Sequence, residues 1–220
     1  MLFRKKPVAT EKRVLLKNIS WAKLEELLAE LGSDREAHLT YDRGRLEMMT
    51  PLEEHDRCNR LLESLLLVVA DEMGDSLVSP GNVLLLQPEI GLAVQPMACY
   101  YLDNAPSLPP SGKLDVTQVP PPDIAIEIAL QEPDSPKRLA LYEAMGVPEV
   151  WQYVTTVGDE VLKGNLKIWA LDRDGYGPVE TSPAYEFLST ARISEFLAES
   201  ETLGLARALT LLRSWVKTQG

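Results

Sequence analysis

The segment that most constrains the fold is a short run of alternating side chains, DIAIEIAL at residues 123–130. Because successive side chains of a β-strand point to opposite faces, the isoleucines share one face, while Asp123, Ala125, Glu127 and Ala129 share the other. This alternation predicts a strand with one wholly aliphatic face. Strand and helix patterns alternate around it, so we predict an α/β protein with a mixed central sheet flanked by helices.

Glu127 is the most unusual residue of this strand. It lies in mid-strand with alanines as its same-face neighbours, and a buried charge is costly unless it is paired, bound to a metal or open to water. Three explanations stay open: a solvated edge strand, an ion pair with a helix arginine, or a functional cleft. Asp123 shares this face but lies about 13 Å away along the strand, so the two carboxylates cannot hold one ion together.

Length and composition fit one large domain with short additions. The chain has 220 residues, 45% of them hydrophobic, which is enough for one substantial core. We expect a basic N-terminal arm over residues 1–15, a main domain over 16–190 and a C-terminal helical appendage over 191–220, with a proline-rich surface loop at 103–122.

A homodimer is expected from an apolar stripe on the appendage and an apolar aromatic strand. The stripe is Leu205, Leu209, Leu212 and Val216, and the strand contains Trp151 and Tyr153.

Capping residues predict the ends of two helices. Ser20 is expected to cap a helix that ends at Gly32. A hairpin turn is expected at residues 42–44. Thr50 is expected to cap the next helix, with Glu53 completing a capping box.

Charge and cysteine content limit the possible partners and the location. Lys and Arg number 22 against 33 Asp and Glu, a net charge of −11, and a field of that sign repels nucleic acid. A nucleic-acid role would therefore need a local basic patch, a bound metal or a partner subunit.

Cys58 and Cys99 lack metal-ligand spacing, which predicts a reducing cytoplasm. No apolar run approaches the ~18 residues of a membrane helix, so no membrane role is expected.

The two histidines have different surroundings. His55 lies in the first turns of a predicted helix among acidic residues. Two explanations stay open for it: a solvated group, or a proton shuttle or ligand at the mouth of a cleft. His38 has no evident partner and is expected at the surface. The chain has no glycine-rich phosphate loop, nucleophile elbow or HExxH motif, so kinase, serine hydrolase and zincin chemistry has no support.

Four segments together resemble a known family. YDRGRLEMMTPLEEH, QPMACYYL, PPPDIAIEI and LALYEAMGVPEVWQY occur in this order. They are similar to segments of the Uma-type putative restriction endonuclease family, a former domain of unknown function in the PD-(D/E)XK nuclease superfamily. The resemblance covers residues 20–190. It implies a restriction-endonuclease-like fold with a mixed four-stranded sheet between helices, and an endonuclease activity that uses Mg²⁺.

The resemblance also implies a metal site. In such nucleases two carboxylates on neighbouring strands hold Mg²⁺ at the scissile phosphate, where the ion polarises the phosphoryl group and lowers the pKa of the attacking water. The second carboxylate corresponds to Glu127, but the first, expected directly after a proline, corresponds to Met97. A thioether is a poor ligand for a hard cation, so the metal site is expected to be degraded.

Other family positions are also changed. The superfamily lysine corresponds to Ala129, and a basic position on the following helix corresponds to Arg138, which can neutralise a phosphate but cannot act as a base. Glu47 and His55 correspond to acidic and histidine positions near the family's cleft, and Glu47 could replace the missing carboxylate. Two functions follow. The chain either hydrolyses phosphodiesters with Mg²⁺ at Glu127, or it is a catalytically inactive nuclease fold that binds a partner or binds DNA through a local basic patch.

Overall fold

The computed structural model describes residues 11–32, 35–103, 105–107, 112–129, 135–155 and 164–219, and for residues 135–137 it describes the backbone only. Within these ranges the chain forms twelve strands and five α-helices. The strands are β1 (Lys12–Lys17), β2 (His38–Asp42), β3 (Arg45–Thr50), β4 (Leu77–Val78), β5 (Leu84–Gln87), β6 (Leu92–Val94), β7 (Ala98–Leu102), β8 (Lys113–Asp115), β9 (Ile124–Ala129), β10 (Glu149–Thr155), β11 (Gly164–Asp172) and β12 (Gly175–Val179). The helices are α1 (Trp21–Leu31), α2 (Glu53–Met73), α3 (Ser135–Ala144), α4 (Thr190–Thr202) and α5 (Leu205–Val216).

The strands form two six-stranded mixed sheets. Sheet 1 has the order β1-β3-β2-β6-β5-β8, and sheet 2 has the order β12-β11-β10-β9-β7-β4. β9 lies inside sheet 2, parallel to β10 and antiparallel to β7. The predicted α/β class with mixed sheets and flanking helices is confirmed, but sheet 2 exceeds the four strands that the resemblance implied. The predicted loop at 103–122 contains β8, which pairs with β5.

Three clusters of buried side chains hold these layers together. One packs α2, α4 and α5 against sheet 2. A second lies between the two sheets and includes side chains of α3. The third packs α1 against sheet 1. Sheet 2 is therefore covered on both faces.

The two faces predicted for β9 are confirmed. All six of its residues are buried. Ile124, Ile126 and Ile128 belong to the cluster on the side of α2, α4 and α5, whereas Ala125 belongs to the cluster between the sheets. Because Glu127 lies two residues after Ala125, its side chain points between the sheets.

The capping predictions have mixed outcomes. Ser20 caps α1, with its Oγ accepting from the Lys23 N–H at 3.2 Å, and Gly32 ends the helix. The prediction for α2 is wrong: Thr50 is the last residue of β3, and the helix begins after Leu52. There the imidazole Nδ1 of His55 accepts the Leu52 N–H at 2.9 Å.

Part of the segment predicted as a basic N-terminal arm forms a strand. Residues 1–10 lie outside the described residues, but Lys12–Lys17 forms β1, which pairs antiparallel with β3. Residues 12–15 of the expected arm therefore belong to sheet 1. β1 is an exposed edge strand, so its sequence lacks the apolar alternation that would have predicted it.

The C-terminal stripe completes the protein's own core. Leu212 and Val216 are buried in the cluster with α2 and α4, and Leu209 packs against it. Trp151 and Tyr153 are buried in the same cluster. Of the residues from which a homodimer was expected, only Leu205 is exposed, and the others pack within the chain. The homodimer stays a prediction. None of the described helices is long and apolar enough to cross a membrane.

Candidate functional site

The carboxylate of Glu127 is neutralised by two side chains of α3. Its Oε1 accepts hydrogen bonds from Nε and Nη2 of Arg138, at 3.1 and 2.8 Å, and from the hydroxyl of Tyr142. Arg138 and Tyr142 are four residues apart, so the helix presents both donors on one face. The side chains of Glu127 and Arg138 are 11% and 13% exposed. Of the three explanations for Glu127, the ion pair with a helix arginine is therefore the one that the structure contains.

The protonation states of the two donors follow from this contact. Burial alone would lower the pKa of Arg138, but the charge of Glu127 and the contact with Tyr142 outweigh it and raise that pKa above its ordinary value. Burial and the charge of Glu127 raise the pKa of Tyr142. Both groups are therefore protonated at neutral pH and can donate to the carboxylate.

A narrow pocket lies beside this contact. It is lined by Arg13, Met49, Glu127, Ile128, Ala129, Arg138 and Gln152, and its free volume of about 10 Å³ is roughly the space of one water molecule. Glu127 thus borders a pocket, as a functional cleft would require. A hydrated divalent cation or a nucleotide does not fit in that space.

Met97 lies beside Glu127 on the neighbouring strand, but its side chain points elsewhere. The Met97 N–H donates to the carbonyl of Ile126 at 2.9 Å, and the register of β7 with β9, continued by one residue, places Met97 opposite Glu127. Its side chain packs against the core on the side of α2, α4 and α5 and is not part of the pocket lining. The backbone at the expected carboxylate position is therefore close to Glu127, but the thioether that stands there does not face it.

Glu47 and His55 are connected to the pocket through Arg13. Nη1 of Arg13 donates to Glu47 Oε1 at 2.8 Å, and Nη2 donates to Glu11 Oε2 at 2.6 Å. The other oxygen of Glu11 lies 2.9 Å from Nε2 of His55. Within the described residues neither Glu47 nor His55 forms a hydrogen bond or an ion pair with Glu127.

His55 occupies neither of the two predicted environments. It is fully buried, so it is neither solvated nor at the mouth of a cleft. Its two ring nitrogens contact the Leu52 N–H and Glu11. The histidine fixes the start of α2 and joins it to the residue before β1.

Gln95 joins the Glu127 contact to sheet 1, which the sequence did not indicate. Its backbone carbonyl accepts from Arg138 Nη2 at 2.9 Å. Its side-chain Oε1 accepts from Nη2 of the buried Arg35 at 2.8 Å, and its amide donates to Asn82. The only indication in the sequence that Gln95 belongs to the site was its position in the QPM segment. Nothing in the sequence indicated that Arg13 or Arg35 would lie there.

His38 is partly buried, so the prediction of a surface position is wrong. Burial, together with the nearby charge of Arg138, lowers the pKa of His38 to about 4. The imidazole is therefore neutral at pH 7. It lies opposite Met49, which lines the pocket.

The described residues do not fit a magnesium site. Among them no group of three or more His, Cys, Asp or Glu side chains is arranged to hold a metal ion. Glu127 is the one carboxylate among the residues that line the pocket, and Oε1 already accepts from Arg138 and Tyr142. Mg²⁺ requires octahedral oxygen coordination and gives up its water reluctantly.

The two sheets, the flanking helices and the inward-facing Glu127 define an α/β protein of the restriction-endonuclease-like class. Residues 21–202 match the family Uma2, described as putative restriction endonuclease. The chain belongs to this family, which confirms the resemblance seen in its sequence. A search of curated proteins found no match.

Removal of Arg138 should destabilise the fold, because it leaves a buried carboxylate without a cation. We expect Arg138→Met to lower the free energy of unfolding by about 3–5 kcal/mol. Glu127→Gln combined with Arg138→Met removes both charges and should recover a large part of that loss. Urea unfolding of the wild type, both single variants and the double variant measures the coupling. Strictly additive effects would show that the two side chains do not interact.

His38 should make stability depend on pH between 6.5, its ordinary value, and about 4. In this window the unfolded chain binds a proton at His38 and the folded protein does not, so the folded state loses stability as the pH falls. The difference between the two pKa values corresponds to at most about 3 kcal/mol. His38→Gln should flatten this part of the profile, as measured by urea unfolding at several pH values. An unchanged slope would contradict the assignment.

Proposed function

We propose that this member of the putative restriction endonuclease family binds nucleic acid without hydrolysing it through Mg²⁺. The observation that carries the proposal is the contact of Arg138 and Tyr142 with one oxygen of Glu127. The positive charge that the resemblance assigns to a bound metal is supplied here by the guanidinium of Arg138. A divalent cation would have to displace this group from a largely buried position.

Three further features support the loss of metal-dependent cleavage. Position 97 carries a thioether, which is a poor ligand for Mg²⁺. Position 129 carries a methyl group where the superfamily has a lysine, so no ammonium group extends from it toward a nucleophile. Arg138 is permanently charged and cannot accept a proton from water. The first metal carboxylate, the lysine and a group able to accept a proton are thus missing, and of the expected metal ligands only Glu127 remains.

Nucleic acid is the partner we propose because of the family to which the chain belongs. Removing metal ligands takes away the cleaving group but leaves the surface that faces the polymer. The net charge of −11 then requires that binding depend on a local group of cations, because phosphate contacts supply most of the affinity for a nucleic acid.

The homodimer and the cytoplasmic location are further parts of the proposal. Cys58 and Cys99 are both free and buried, as expected for thiols in a reducing compartment. Sedimentation velocity over a range of protein concentrations tests the homodimer, which should appear as a species of twice the mass. A monomer at every concentration would contradict it.

Titration calorimetry with Mn²⁺ and Mg²⁺ tests the loss of the metal site. We expect no saturable heat from the wild type. Met97→Asp combined with Arg138→Lys adds a carboxylate on the strand beside Glu127 and removes the guanidinium contacts with its Oε1. A carboxylate is costly against the apolar cluster where the Met97 side chain packs, so it should turn toward Glu127. This variant should therefore gain saturable Mn²⁺ binding and metal-dependent cleavage of duplex DNA.

Met97→Asn combined with Arg138→Lys is the matched control, because it has the same shape without the added charge and should bind no metal. Saturable binding by the wild type that Glu127→Ala abolishes would contradict the proposal. So would cleavage of DNA by the wild type that depends on added metal and on Glu127.

A further inference from the structure

Three exposed cations converge on an open pocket where β1 ends and the β2–β3 hairpin turns. The pocket has a volume of about 500 Å³, and we call it the basic pocket. We propose that it binds a phosphate group. The inference rests on the proposed function in one respect: the proposed function is the reason for assigning this phosphate to a nucleic-acid backbone. The lining residues are Lys17, Asn18, Ile19, Ser20, Arg43, Gly44 and Arg45.

Two of these cations oppose each other directly. Lys17 and Arg45 are partners in the antiparallel register of β1 with β3. Side chains at such positions lie on the same face with Cβ atoms about 4.5–5.5 Å apart, and like charges placed there are destabilising. An anion between them would remove this repulsion. The register therefore indicates a site whose empty form is electrostatically unfavourable.

The nearby carboxylates are engaged with cations other than Lys17 and Arg45. Asp42 lies opposite Arg45 on β2, but its Oδ1 accepts from Nε of Arg43 at 2.7 Å. Glu47 accepts from Arg13 at 2.8 Å. Within the described ranges neither Lys17 nor Arg45 forms an ion pair of 4.0 Å or less, and both are exposed. Their charges are available to a ligand from solution.

The backbone holds the pocket in shape. The Ile19 N–H donates to the Gly44 carbonyl at 3.0 Å, which ties the segment after β1 to the hairpin turn. The hydroxyl of Tyr41 donates to the Ile19 carbonyl at 2.9 Å. The Ser20 hydroxyl already accepts from the first turn of α1, so the inference depends on the side-chain cations and not on the end of that helix.

Phosphate is the ligand class that this set of groups fits best. Arginine forms two parallel hydrogen bonds with phosphate oxygens, and lysine binds phosphate as a point charge. Arg43 and Arg45 sit on the two sides of Gly44 and can approach one tetrahedral anion from different directions. The side chain of Arg43 is 74% exposed although Asp42 contacts it. Three cations around one open volume match a phosphate group better than a single carboxylate.

The basic pocket and the Glu127 pocket lie along the same face of sheet 1. Arg45 and Met49 are four residues apart on β3 and therefore on one face, about 13 Å from each other. Met49 lines the Glu127 pocket. This separation is about four times the 3.4 Å rise per nucleotide of a DNA strand. A nucleic-acid backbone held at the basic pocket can therefore extend along β3 as far as the edge of the Glu127 pocket.

Removal of the opposed cations should weaken phosphate binding. Lys17→Gln combined with Arg45→Gln is expected to reduce the affinity for a labelled DNA duplex about tenfold at low salt, measured by fluorescence anisotropy. The slope of log K against log salt should fall by about 2, since two phosphate contacts are lost. Calorimetry with inorganic phosphate should show the same loss. In phosphate-free buffer the variant should also have the higher midpoint of thermal unfolding, because the repulsion is gone, and added phosphate should stabilise only the wild type.

The matched control is Arg173→Gln combined with Arg207→Gln. It removes two exposed positive charges elsewhere and therefore changes the net charge of the whole protein equally. This control should bind DNA and phosphate within about twofold of the wild type, because binding depends on local contacts. An equal loss in both double variants would assign the effect to net charge and overturn the inference.

The two ligands separate the sources of the phosphate. If DNA binding is lost in the variant, the pocket holds a phosphodiester of nucleic acid. If the wild type binds only inorganic phosphate and the variant does not, the pocket stands and the nucleic-acid part of the proposed function fails. If the wild type binds DNA and the variant binds it equally, the pocket is wrong and the proposed function stands. Binding of neither ligand by the wild type would overturn both.

Discussion

The structure depends on how the chain accommodates one carboxylate inside a strand. Glu127 occupies a buried position of β9, and an isolated charge in such a place would be too costly for a fold of ordinary stability. Arg138 and Tyr142 donate to the same oxygen, so α3 must lie across this face of sheet 2 with these two side chains turned inward. The helix is therefore positioned by electrostatics as well as by its apolar contacts. Both restrict its rotation.

The same contact joins the two sheets. Arg138 also donates to the carbonyl of Gln95, which lies between β6 of sheet 1 and β7 of sheet 2. The side chain of Gln95 then contacts Arg35 and Asn82. One guanidinium thus bridges a strand of sheet 2, helix α3 and the connection between the sheets. A substitution at position 138 should consequently change how the two sheets and α3 pack together. A residue that served catalysis alone would not have this effect.

Features within a single helix or strand were predictable from the sequence. The side chains that contact them from distant segments of the chain were not. The two faces of β9 follow from a period of two, and the cap at Ser20 follows from its side chain. An ion pair with a helix arginine was one of three explanations for Glu127, and only the placement of α3 distinguishes it from the others. Arg13 reaches the pocket because β1 pairs with β3, a contact between distant segments. His55 could not be placed because its partner, Glu11, lies before β1.

A strongly acidic chain can still bind a polyanion if its cations are grouped. At physiological ionic strength the screening length is about 8 Å, so the acidic groups on distant surfaces add little to the potential at the basic pocket. Lys17 and Arg45 lie within one open volume and set the field there, whereas the charge of the neighbouring Arg43 is partly neutralised by Asp42. Arg138 contributes little to this field, because Glu127 neutralises it. Sheet 1 therefore carries a group of solvent-exposed cations, while Glu127 on sheet 2 is closed off by an internal ion pair, so the two sites are physically separate.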